Sequence, residues 1–552
     1  MRRLLDRSTG AHARLLRRLR LALGSRGQEG GRGRGAAGRG ASAPTVPPES
    51  EDGPPVAARD GGRDLLEGVH AFSVDERNYV YDVASGLFFE ADHLAVSLLD
   101  WLERGAEPVD LKVLEVDHGA ERVRDGLTEI ALLRGSLDAI PGAGRFDLDG
   151  PLLPSISSIA LHLTGRCNLS CDYCDLGSRG QSAPPMSQEV ALRAVDLLFE
   201  ESLGEHSVSV VFFGGEPLLR PELIEHVVEH ARRRAQSRSR DVSFHVTTNG
   251  TLLDRRVASR LTELGVKILV SIDGPRPDHD RHRSFPDGRG SYDVLAAHLR
   301  ELPPGIRVGA RATVTPESGH LVEIVSHLTE LGCSVVHLAP VSGGDMAGAF
   351  AERLMTEFGE LASHELRRAL HGGTPCVGNF IDALASLETG RVRALPCGAG
   401  SRYLSVGSDG TLFLCHRFAG DRAYAVGDVF TGVDRERVRR LLERLCGLAA
   451  ECAGCWARWL CGGPCFYDLA GCAEDSPGPG TVRCAVRTRI LELSMWLYAS
   501  LPPASRERAL GIARREPVTE PEAAPGDEAG PGSGAPGRGA SVTESVSASG
   551  ER

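Results

Sequence analysis

Short apolar runs alternate with amphipathic stretches through the middle of the chain, over residues 150–372. Six runs have the length and composition of strands: ISSIALHLT, VSVVFFGG, VSFHVTTNG, VKILVSIDG, IRVGARATVT and SVVHLAPVS. Between them, apolar residues recur at spacings of three and four, as in helices that cover a sheet. Alternation of strand and helix predicts parallel strands with the helices outside. The pattern therefore predicts an α/β fold, a partial (β/α)6 TIM-like barrel with its active site at the carboxyl ends of the strands.

A different pattern precedes the barrel, at residues 64–140. The stretch VHAFSVDERNYVYDVASGLFFEAD breaks into short β-branched and aromatic runs separated by turn residues, which is typical of a small antiparallel sheet. Helical spacing follows in HLAVSLLDWLERG and in ERVRDGLTEIALLRGSL. The block is predicted to be a small module of strands and helices.

Neither end of the chain shows such a pattern. Residues 1–63 are rich in Arg, Gly and Pro, and residues 515–552 are rich in Pro, Gly, Ser and Glu, so both are predicted to be disordered tails. Some helical amphipathicity between Leu15 and Leu23 would suit contact with RNA or a membrane, although a solvated tail is the simpler interpretation.

The composition narrows the class of protein. The 552 residues are 41% hydrophobic and 25% charged, as in ordinary globular proteins. A formal net charge of -11 argues against a general nucleic-acid binder. No apolar run is long enough for a membrane helix, and the arginine-rich start lacks the apolar core of a secretory signal. We expect a cytoplasmic protein with no nucleic-acid or membrane partner.

Fourteen cysteines in an unexported chain indicate metal or redox chemistry. Cys167, Cys171 and Cys174 follow the first strand with C-x3-C-x2-C spacing in TGRCNLSCDYCDLG. Three thiolates in a short loop can ligate three irons of a 4Fe–4S cluster and leave the fourth iron open to a small molecule. A structural zinc site is the alternative, but it needs four ligands, and no fourth Cys or His is close in sequence.

This motif resembles that of the radical S-adenosyl-L-methionine (SAM) superfamily. The resemblance implies an enzyme in which the amino and carboxylate groups of SAM chelate the open iron. SAM is then split into methionine and a 5′-deoxyadenosyl radical. The three motif cysteines are therefore expected to be catalytic as well as cluster ligands.

Later strand ends match further motifs of the same family, and the resemblance implies SAM contacts there. Glycines allow close backbone approach, and Arg283 in DHDRHR is expected to pair with the SAM carboxylate. Asp273 has the position of an ordinary turn former, and His162 that of a packed core histidine. The expected contacts are Tyr173 near the adenine, Gly214, Gly215, Glu216 and Pro217 in GGEP, Asn249 in TTNG, Ser271 in SIDGP, and Arg283.

Residues 375–500 hold a second, denser cysteine array that resembles the seven-cysteine SPASM domain. Its segments read C-x12-G-x4-C, then C-x2-C-x5-C-x3-C, then a last Cys484. The resemblance implies two auxiliary iron–sulfur clusters, and a pair of zinc ribbons is the alternative. The first cluster would use Cys397, Cys415 and Cys465, and the second Cys452, Cys455, Cys461 and Cys484.

A fourth ligand of the first auxiliary cluster stays open. Tyr403 stands where sulfatase maturases carry a further cysteine. Cys376, Cys446 or Cys472 could complete the cluster, or one iron could stay open to a substrate thiolate. Cys333, alone in the barrel, is expected to be a packed core thiol.

The block at 64–140 resembles the winged-helix-like, PqqD-like recognition element of ribosomal-peptide maturases, which captures a leader peptide as an added strand. An unrelated scaffold module is the alternative. The resemblance implies a ribosomally made precursor peptide or client protein as partner, and an electron donor such as flavodoxin or ferredoxin.

Within the SPASM enzymes, CHRFAGD and CWARWLCGGPC look most similar to thioether-forming maturases and to quinohemoprotein amine dehydrogenase maturation proteins. Intrapeptide thioether cross-links are therefore the expected product. Sulfatase maturases carry an aspartate where His416 stands, which weakens that role. A carbon–carbon cyclophane-forming or epimerising maturase would share the same motifs and stays open. A non-catalytic Fe–S electron-transfer protein would need the cysteine array but not the SAM-binding motifs.

Overall fold

A computed structural model describes residues 68–83, 85–103, 108–138, 155–174, 184–341, 348–471 and 480–515. The expected tails lie outside the described residues, apart from the last helical position at 515. Cys472 also lies outside them.

The N-terminal module is a three-stranded antiparallel sheet followed by three helices. The strands β1 (Val69–Val74), β2 (Arg77–Asp82) and β3 (Leu87–Ala91) pair in chain order with β2 in the middle. The helices are α1 (His93–Glu103), α2 (Pro108–His118) and α3 (Ala120–Asp138). Helix α2 does not figure in the sequence prediction, because its apolar and charged residues do not separate onto two faces. The resemblance of this module to a PqqD-like element stays a prediction.

Six parallel strands form the wall of the barrel, and they lie side by side in chain order. The six expected strands and the α/β fold are thus confirmed. The strands are β4 (Ser158–His162), β5 (Ser207–Phe213), β6 (Asp241–Thr248), β7 (Val266–Ser271), β8 (Val308–Val314) and β9 (Cys333–Pro340). The helices are α4 (Gln188–Glu201), α5 (Pro221–Ser237), α6 (Arg255–Glu263), α7 (Arg276–His282), α8 (Tyr292–Arg300), α9 (Leu321–Glu330) and α10 (Gly348–Leu370).

Local sequence explains how these elements start and which face they bury. Helix α4 begins after Ser187, whose hydroxyl accepts a hydrogen bond from Val190 N–H, and α6 begins after Asp254, which caps Val257 N–H in the same way. On β5, the residues of one face are buried under the helices, while those of the other face are only half-buried. The second face lines the interior of the open barrel.

The cysteine-rich block joins the same sheet. Its strand β10 (Tyr403–Val406) pairs in parallel with β4, so that ten strands are continuous in the order β13-β12-β11-β10-β4-β5-β6-β7-β8-β9. The other strands are β11 (Thr411–Phe413), β12 (Ala425–Asp428) and β13 (Gly432–Val433). The helices are α11 (Gly378–Thr389), α12 (Arg435–Gly447), α13 (Arg458–Cys461), α14 (Phe466–Ala470), α15 (Gly480–Ser500) and α16 (Pro503–Arg515).

One hydrophobic cluster runs through the described parts of all three blocks, from Phe72 in the N-terminal sheet to Ala513 in α16. A small separate cluster lies under the N-terminal helices, around Leu94, Leu98 and Val123. All of the described residues belong to one compact unit, so the block boundaries at 64–140, 150–372 and 375–500 stay predictions. In the described ranges, no helix combines the length and apolar character needed to cross a bilayer.

Candidate functional site

The loop that carries the three motif cysteines leaves the end of β4, and the loop after β5 holds it in place. Gly215 N–H donates to Thr164 O at 2.8 Å and Glu216 N–H to Arg166 O at 2.9 Å. A Cβ at Gly215 would overlap the Arg166 carbonyl, and one at Gly214, where φ is +126°, would lie 2.5 Å from Thr164 O. The two glycines therefore approach the backbone of the cysteine loop closely, and their expected contact with SAM stays a prediction.

Glu216 ties this loop to the end of β6. Its side chain is fully buried and accepts hydrogen bonds from Leu218 N–H at 2.9 Å, Thr248 Oγ1–H at 2.7 Å and Asn249 N–H at 2.8 Å. Burial raises the pKa of Glu216 to about 7, and these three donors act in the opposite direction. Pro217, also buried, opens the short turn that follows.

Asn249 links the end of β6 back to the cysteines. Its Nδ2 donates to Asn168 Oδ1 at 2.9 Å and lies 3.7 Å from Cys167 Sγ, while its Oδ1 accepts from Thr251 N–H at 2.9 Å. The carboxamide is thus oriented by the loop that it contacts, which fixes the first cysteine relative to the third barrel strand.

The three motif cysteines lie close enough for their charges to affect one another. Cys167 and Cys171 are half-buried and Cys174 is exposed. Burial raises the pKa of Cys171 to about 12, Arg283 lowers it, and thiolate charge at Cys167 or Cys174 raises it further. Among the described residues, no three His, Cys, Asp or Glu side chains converge as a single metal ion requires. In a cubane each thiolate binds its own iron, so three neighbouring thiols that do not meet at one point fit that group.

Asp273, Arg283 and Tyr173 form a buried network beside Cys171, and Asp273 is its centre. Its Oδ2 accepts from Tyr173 Oη–H at 2.5 Å and from Arg283 Nε–H at 2.9 Å, and its Oδ1 accepts from Thr313 N–H at 2.9 Å. The Arg283 guanidinium lies 5.3 Å from the centre of the Tyr173 ring. Burial acts to lower the pKa of Arg283, but Asp273, Tyr173 and Cys171 together outweigh it and the pKa is raised.

The role of Asp273 is not visible in the sequence. An Asp before Gly at a strand end is an ordinary turn former, and its main partners lie 100 residues upstream and 10 residues downstream. Ser271, the last residue of β7, is half-buried beside Arg311 in the strand register. The structure therefore brings Tyr173, Asn249, Ser271 and Arg283 to the same carboxyl edge of the sheet as the cysteines.

The cysteines of the C-terminal block separate into two groups. In the first group, burial is the main reason that the pKa values of Cys415 and Tyr403 are raised. A negative charge at Cys465 raises the pKa of Cys415 further, and charges at Cys415 and Cys397 raise the pKa of Tyr403 further. Arg417 lies beside this group, with Nη1 3.8 Å from Cys465 Sγ. In the second group, burial raises the pKa of Cys484 to about 11, and charge at Cys461, Cys452 and Cys455 raises it further.

The candidates for a fourth ligand lie elsewhere or outside the described residues. Cys376 is buried against Arg368, whose Nη1 is 2.7 Å from its Sγ, and its backbone N–H donates to Glu365. Cys446 lies on α12, and burial alone raises its pKa. Tyr403, in the place of the extra maturase cysteine, has its hydroxyl 2.9 Å from His416 Nδ1. Cys333 is buried at the start of β9.

Residues 161–303 match the family model of the Radical SAM superfamily. This range contains the three motif cysteines and every residue expected to contact SAM. This part of the chain is therefore similar to the radical SAM superfamily, and that family implies a 4Fe–4S cluster and SAM.

Several characterised proteins are similar to this chain. The antilisterial bacteriocin subtilosin biosynthesis protein AlbA of Bacillus subtilis is 23% identical over 54% of this chain and 61% of its own length. The AdoMet-dependent heme synthase of Methanosarcina barkeri is 28% identical over 54% of this chain and 91% of its own. The serine-type anaerobic sulfatase-maturating enzyme of Bacteroides thetaiotaomicron is 27% identical over 32% of this chain and 44% of its own length. The chain thus spans less than two thirds of the first and third relatives.

Among solved structures, native anSMEcpe with bound AdoMet aligns with a TM-score of 0.53 at 20% identity, covering 64% of this chain and 99% of that one. At an identity this low, the alignment shows that the two proteins share a fold and nothing more. The chain thus has the α/β fold of radical SAM proteins.

Proposed function

We propose that this chain is a radical SAM enzyme that modifies a ribosomally made precursor peptide or client protein, with thioether cross-links between a cysteine sulfur and a carbon as the product. One observation carries the proposal. Cys167, Cys171 and Cys174 are neighbours on a loop clamped by Gly214 and Gly215, as a cluster with one open iron requires. Two further cysteine groups lie in the block attached to the same sheet.

The residues around the loop have separate tasks in this proposal. When bound, the cluster and SAM supply a 5′-deoxyadenosyl radical that can remove hydrogen from an unactivated carbon. Glu216 and Asn249 hold the first cysteine in place. Asp273 binds Arg283 through Nε, and the Nη atoms of the guanidinium would pair with the SAM carboxylate, which arginine binds in a fork. Tyr173 is held beside them for the adenine.

Two auxiliary iron–sulfur clusters complete the proposed cofactor set. The grouping of Cys397 and Cys415 with Cys465, and of the four remaining array cysteines with one another, supports it. Such clusters would take up an electron or bind the substrate sulfur, and flavodoxin or ferredoxin would reduce the protein.

The N-terminal sheet is the proposed binding element for the leader peptide. Both β1 and β3 are edge strands of this sheet, and an edge strand can accept an extended peptide through main-chain hydrogen bonds. The sheet packs on the cysteine-rich block, since His70 stacks on Trp456 at 3.8 Å, next to Cys455. A bound leader would therefore lie near the auxiliary cysteines.

The second candidate is modification of a tetrapyrrole, since the similarity to a heme synthase extends over 91% of that protein. A sulfatase-maturating role has a relative in its favour too, but His416 replaces the aspartate of those enzymes and is hydrogen-bonded to Tyr403. Carbon–carbon cross-linking or epimerisation of a peptide would use the same site.

The test is co-expression of the full chain with the peptide gene beside its own, followed by tandem mass spectrometry of the peptide. We expect the loss of two hydrogens, located between a cysteine and a distant residue. Thioether formation would be contradicted if the precursor contained no cysteine, or if the peptide gained an oxygen-containing group instead of losing two hydrogens. The anaerobically reconstituted protein should hold roughly eight to twelve irons, and stoichiometric zinc without absorbance near 400 nm would contradict the cluster assignment.

A further inference from the structure

Helix α2 of the N-terminal module has apolar side chains on two opposite faces. Leu111 and Leu114 pack against the small hydrophobic cluster under the N-terminal helices. Val109, Val113 and Val116 lie on the other side, at spacings of four and three residues that place them in one line along the helix. Their exposed fractions are 73%, 54% and 85%. We call these three residues the valine stripe.

The valine stripe differs from the other large apolar side chains that are exposed in the described part of the chain. Each of those lies on a separate helix or connection, where a single exposed apolar residue is ordinary. They are Leu203, Leu219, Leu370, Phe430 and Leu448. The stripe instead has three valines within one helix of 11 residues. Because β-branched residues lower helix propensity, helix formation does not explain these valines, and a covering surface does.

Carboxylates flank the valine stripe. Asp110 and Asp117 lie on one side of it, Lys112 lies on the other side, and Glu115 lies further round the helix. None of the three carboxylates forms an ion pair within the described residues. A segment that covers the stripe should therefore be apolar along its centre and basic beside it.

The arginine-rich start of the chain contains a segment of this kind. Leu15, Leu16, Leu19 and Leu23 recur at helical spacing, and residues 14–20 include four arginines and no acid. These residues lie outside the described range. Residues 24–67 join them to the N-terminal module, and an unfolded chain of that length spans roughly 35 Å. Helix α2 is only about 16 Å long, so the segment can reach the stripe in its own module.

The size of the valine stripe favours a tethered segment over a second copy of the chain. A stable interface buries roughly 800 Å² on each partner, whereas three valine side chains offer at most roughly 300 Å². A segment of the same chain has an effective concentration on the order of millimolar, so that a smaller contact suffices.

We infer that residues 15–23 dock as a helix along the valine stripe, and that the arginines of residues 14–20 bind the carboxylates of α2. The segment thus adds a helix to the N-terminal module. It does not use the edge strands β1 and β3, which the proposed function assigns to the leader peptide. The inference does not depend on that function.

The test is photocrosslinking of the anaerobically reconstituted full chain that carries Val113→p-benzoylphenylalanine. Equal amounts of unlabelled and 15N-labelled protein are mixed, irradiated, digested and mapped by mass spectrometry. We expect crosslinks from position 113 to residues 11–24, within one chain only. Crosslinks between labelled and unlabelled chains, crosslinks to another segment, or no crosslinks would each overturn the inference. Leu203→p-benzoylphenylalanine, at another exposed position, should not crosslink to residues 11–24.

Variants of the segment show whether its leucines are responsible. Leu16→Glu with Leu19→Glu should abolish the crosslinks and make amide exchange in α2 about tenfold faster, the effect expected from exposing one buried valine. Ala36→Glu with Ala37→Glu adds the same charge outside the segment and should change neither result. Persistent crosslinks with unchanged exchange in the leucine variant would contradict docking through these leucines. Neither readout needs SAM cleavage, so a failed cross-linking assay of the precursor peptide would count against the proposed function alone.

Discussion

Gly215 has no room for a side chain, because a Cβ there would overlap the Arg166 carbonyl on the cysteine loop. Gly215→Ala should therefore displace that loop and lower the absorbance of the SAM-binding cluster near 400 nm. We expect the free energy of unfolding to fall by about 2–4 kcal/mol, since the obstacle is backbone and cannot rotate away.

Gly359→Ala is the matched control for this substitution. Gly359 lies within α10 with open space around the added methyl group. Alanine is the better helix former by up to about 1 kcal/mol, so the control should be as stable as the wild type or more so. Equal iron content and stability in Gly215→Ala and Gly359→Ala would show that the glycine does not clamp the loop.

Apart from the cysteines, Asp273 is the residue whose substitution should lower the free energy of unfolding most. Its pair with Arg283 leaves the Asp and Arg side chains only 1% and 10% exposed. Asp273→Asn keeps the shape but leaves the Arg283 charge buried and unpaired, so the free energy of unfolding should fall by about 3 kcal/mol. Urea unfolding measures this change.

The exposed pair of Arg276 and Asp293 provides the comparison, because its side chains are 56% and 64% exposed. Asp293→Asn should change stability by less than about 1 kcal/mol. If the free energy of unfolding falls by the same small amount in both Asp→Asn variants, Asp273 is not the centre of a buried network.

At the residue scale, the cysteines, glycines and Arg283 can be found from the sequence because they are spaced in recognisable motifs. Asp273 cannot be found in this way, since nothing local distinguishes it from a turn residue. His162 is expected to be a packed histidine, and it is buried. Among the described residues its Nε2 has no hydrogen-bond partner, and this could not be foreseen because only the fold brings Phe213 and His416 near.

At the element scale, Trp456 is one of the residues that attach the N-terminal sheet to the cysteine-rich block. The ring stacks on His70 at an interplanar angle of 5° and meets Tyr81 edge-on at 5.9 Å. Helix α15 adds a hydrogen bond between Glu492 Oε1 and His70 Nε2 at 3.0 Å. These contacts join the two parts of the chain that the proposed function assigns to leader binding and to auxiliary clusters.

Trp456→Ala should loosen this attachment without disturbing the barrel. Loss of the aromatic contacts costs about 1 kcal/mol beyond the buried area, so hydrogen exchange in β1 and β2 should become roughly fivefold faster. Exchange in β5 to β7 should not change. Trp459→Ala is the control, because that ring lies 4.2 Å from the guanidinium of Arg458 within the short helix α13. Unchanged exchange in β1 of Trp456→Ala would contradict this mode of attachment.

The six barrel strands can be predicted because each is a short apolar run between amphipathic helices. Strand β10 cannot, since four residues carry too little pattern and its partner β4 lies more than 240 positions earlier in the chain. Helix α2 is also not predicted from the sequence, because its pattern of apolar and polar residues is weak. Val109, Val113 and Val116 are exposed in the structure, so the apolar residues of α2 do not mark a single buried face.

At the scale of the whole molecule, the continuous sheet makes the barrel and the cysteine-rich block parts of one structure. The three motif cysteines lie after β4, and β4 lies between β5 of the barrel and β10 of the following block. The proposed catalytic loop follows β4, while Cys397 and Cys415 of the first auxiliary group flank the adjoining pair of strands, before β10 and after β11. Every other part of the proposed function depends on cleavage of SAM at this loop.

The most direct test is the formation of 5′-deoxyadenosine by the anaerobically reconstituted full chain, given SAM and dithionite and measured by liquid chromatography with mass detection. The wild type and Cys333→Ala, which removes a cysteine outside all three groups, should both form it. Cys174→Ala should reduce it to background while the iron of the auxiliary groups persists. Undiminished 5′-deoxyadenosine in Cys174→Ala, or none in the iron-loaded wild type, would contradict the assignment of this site.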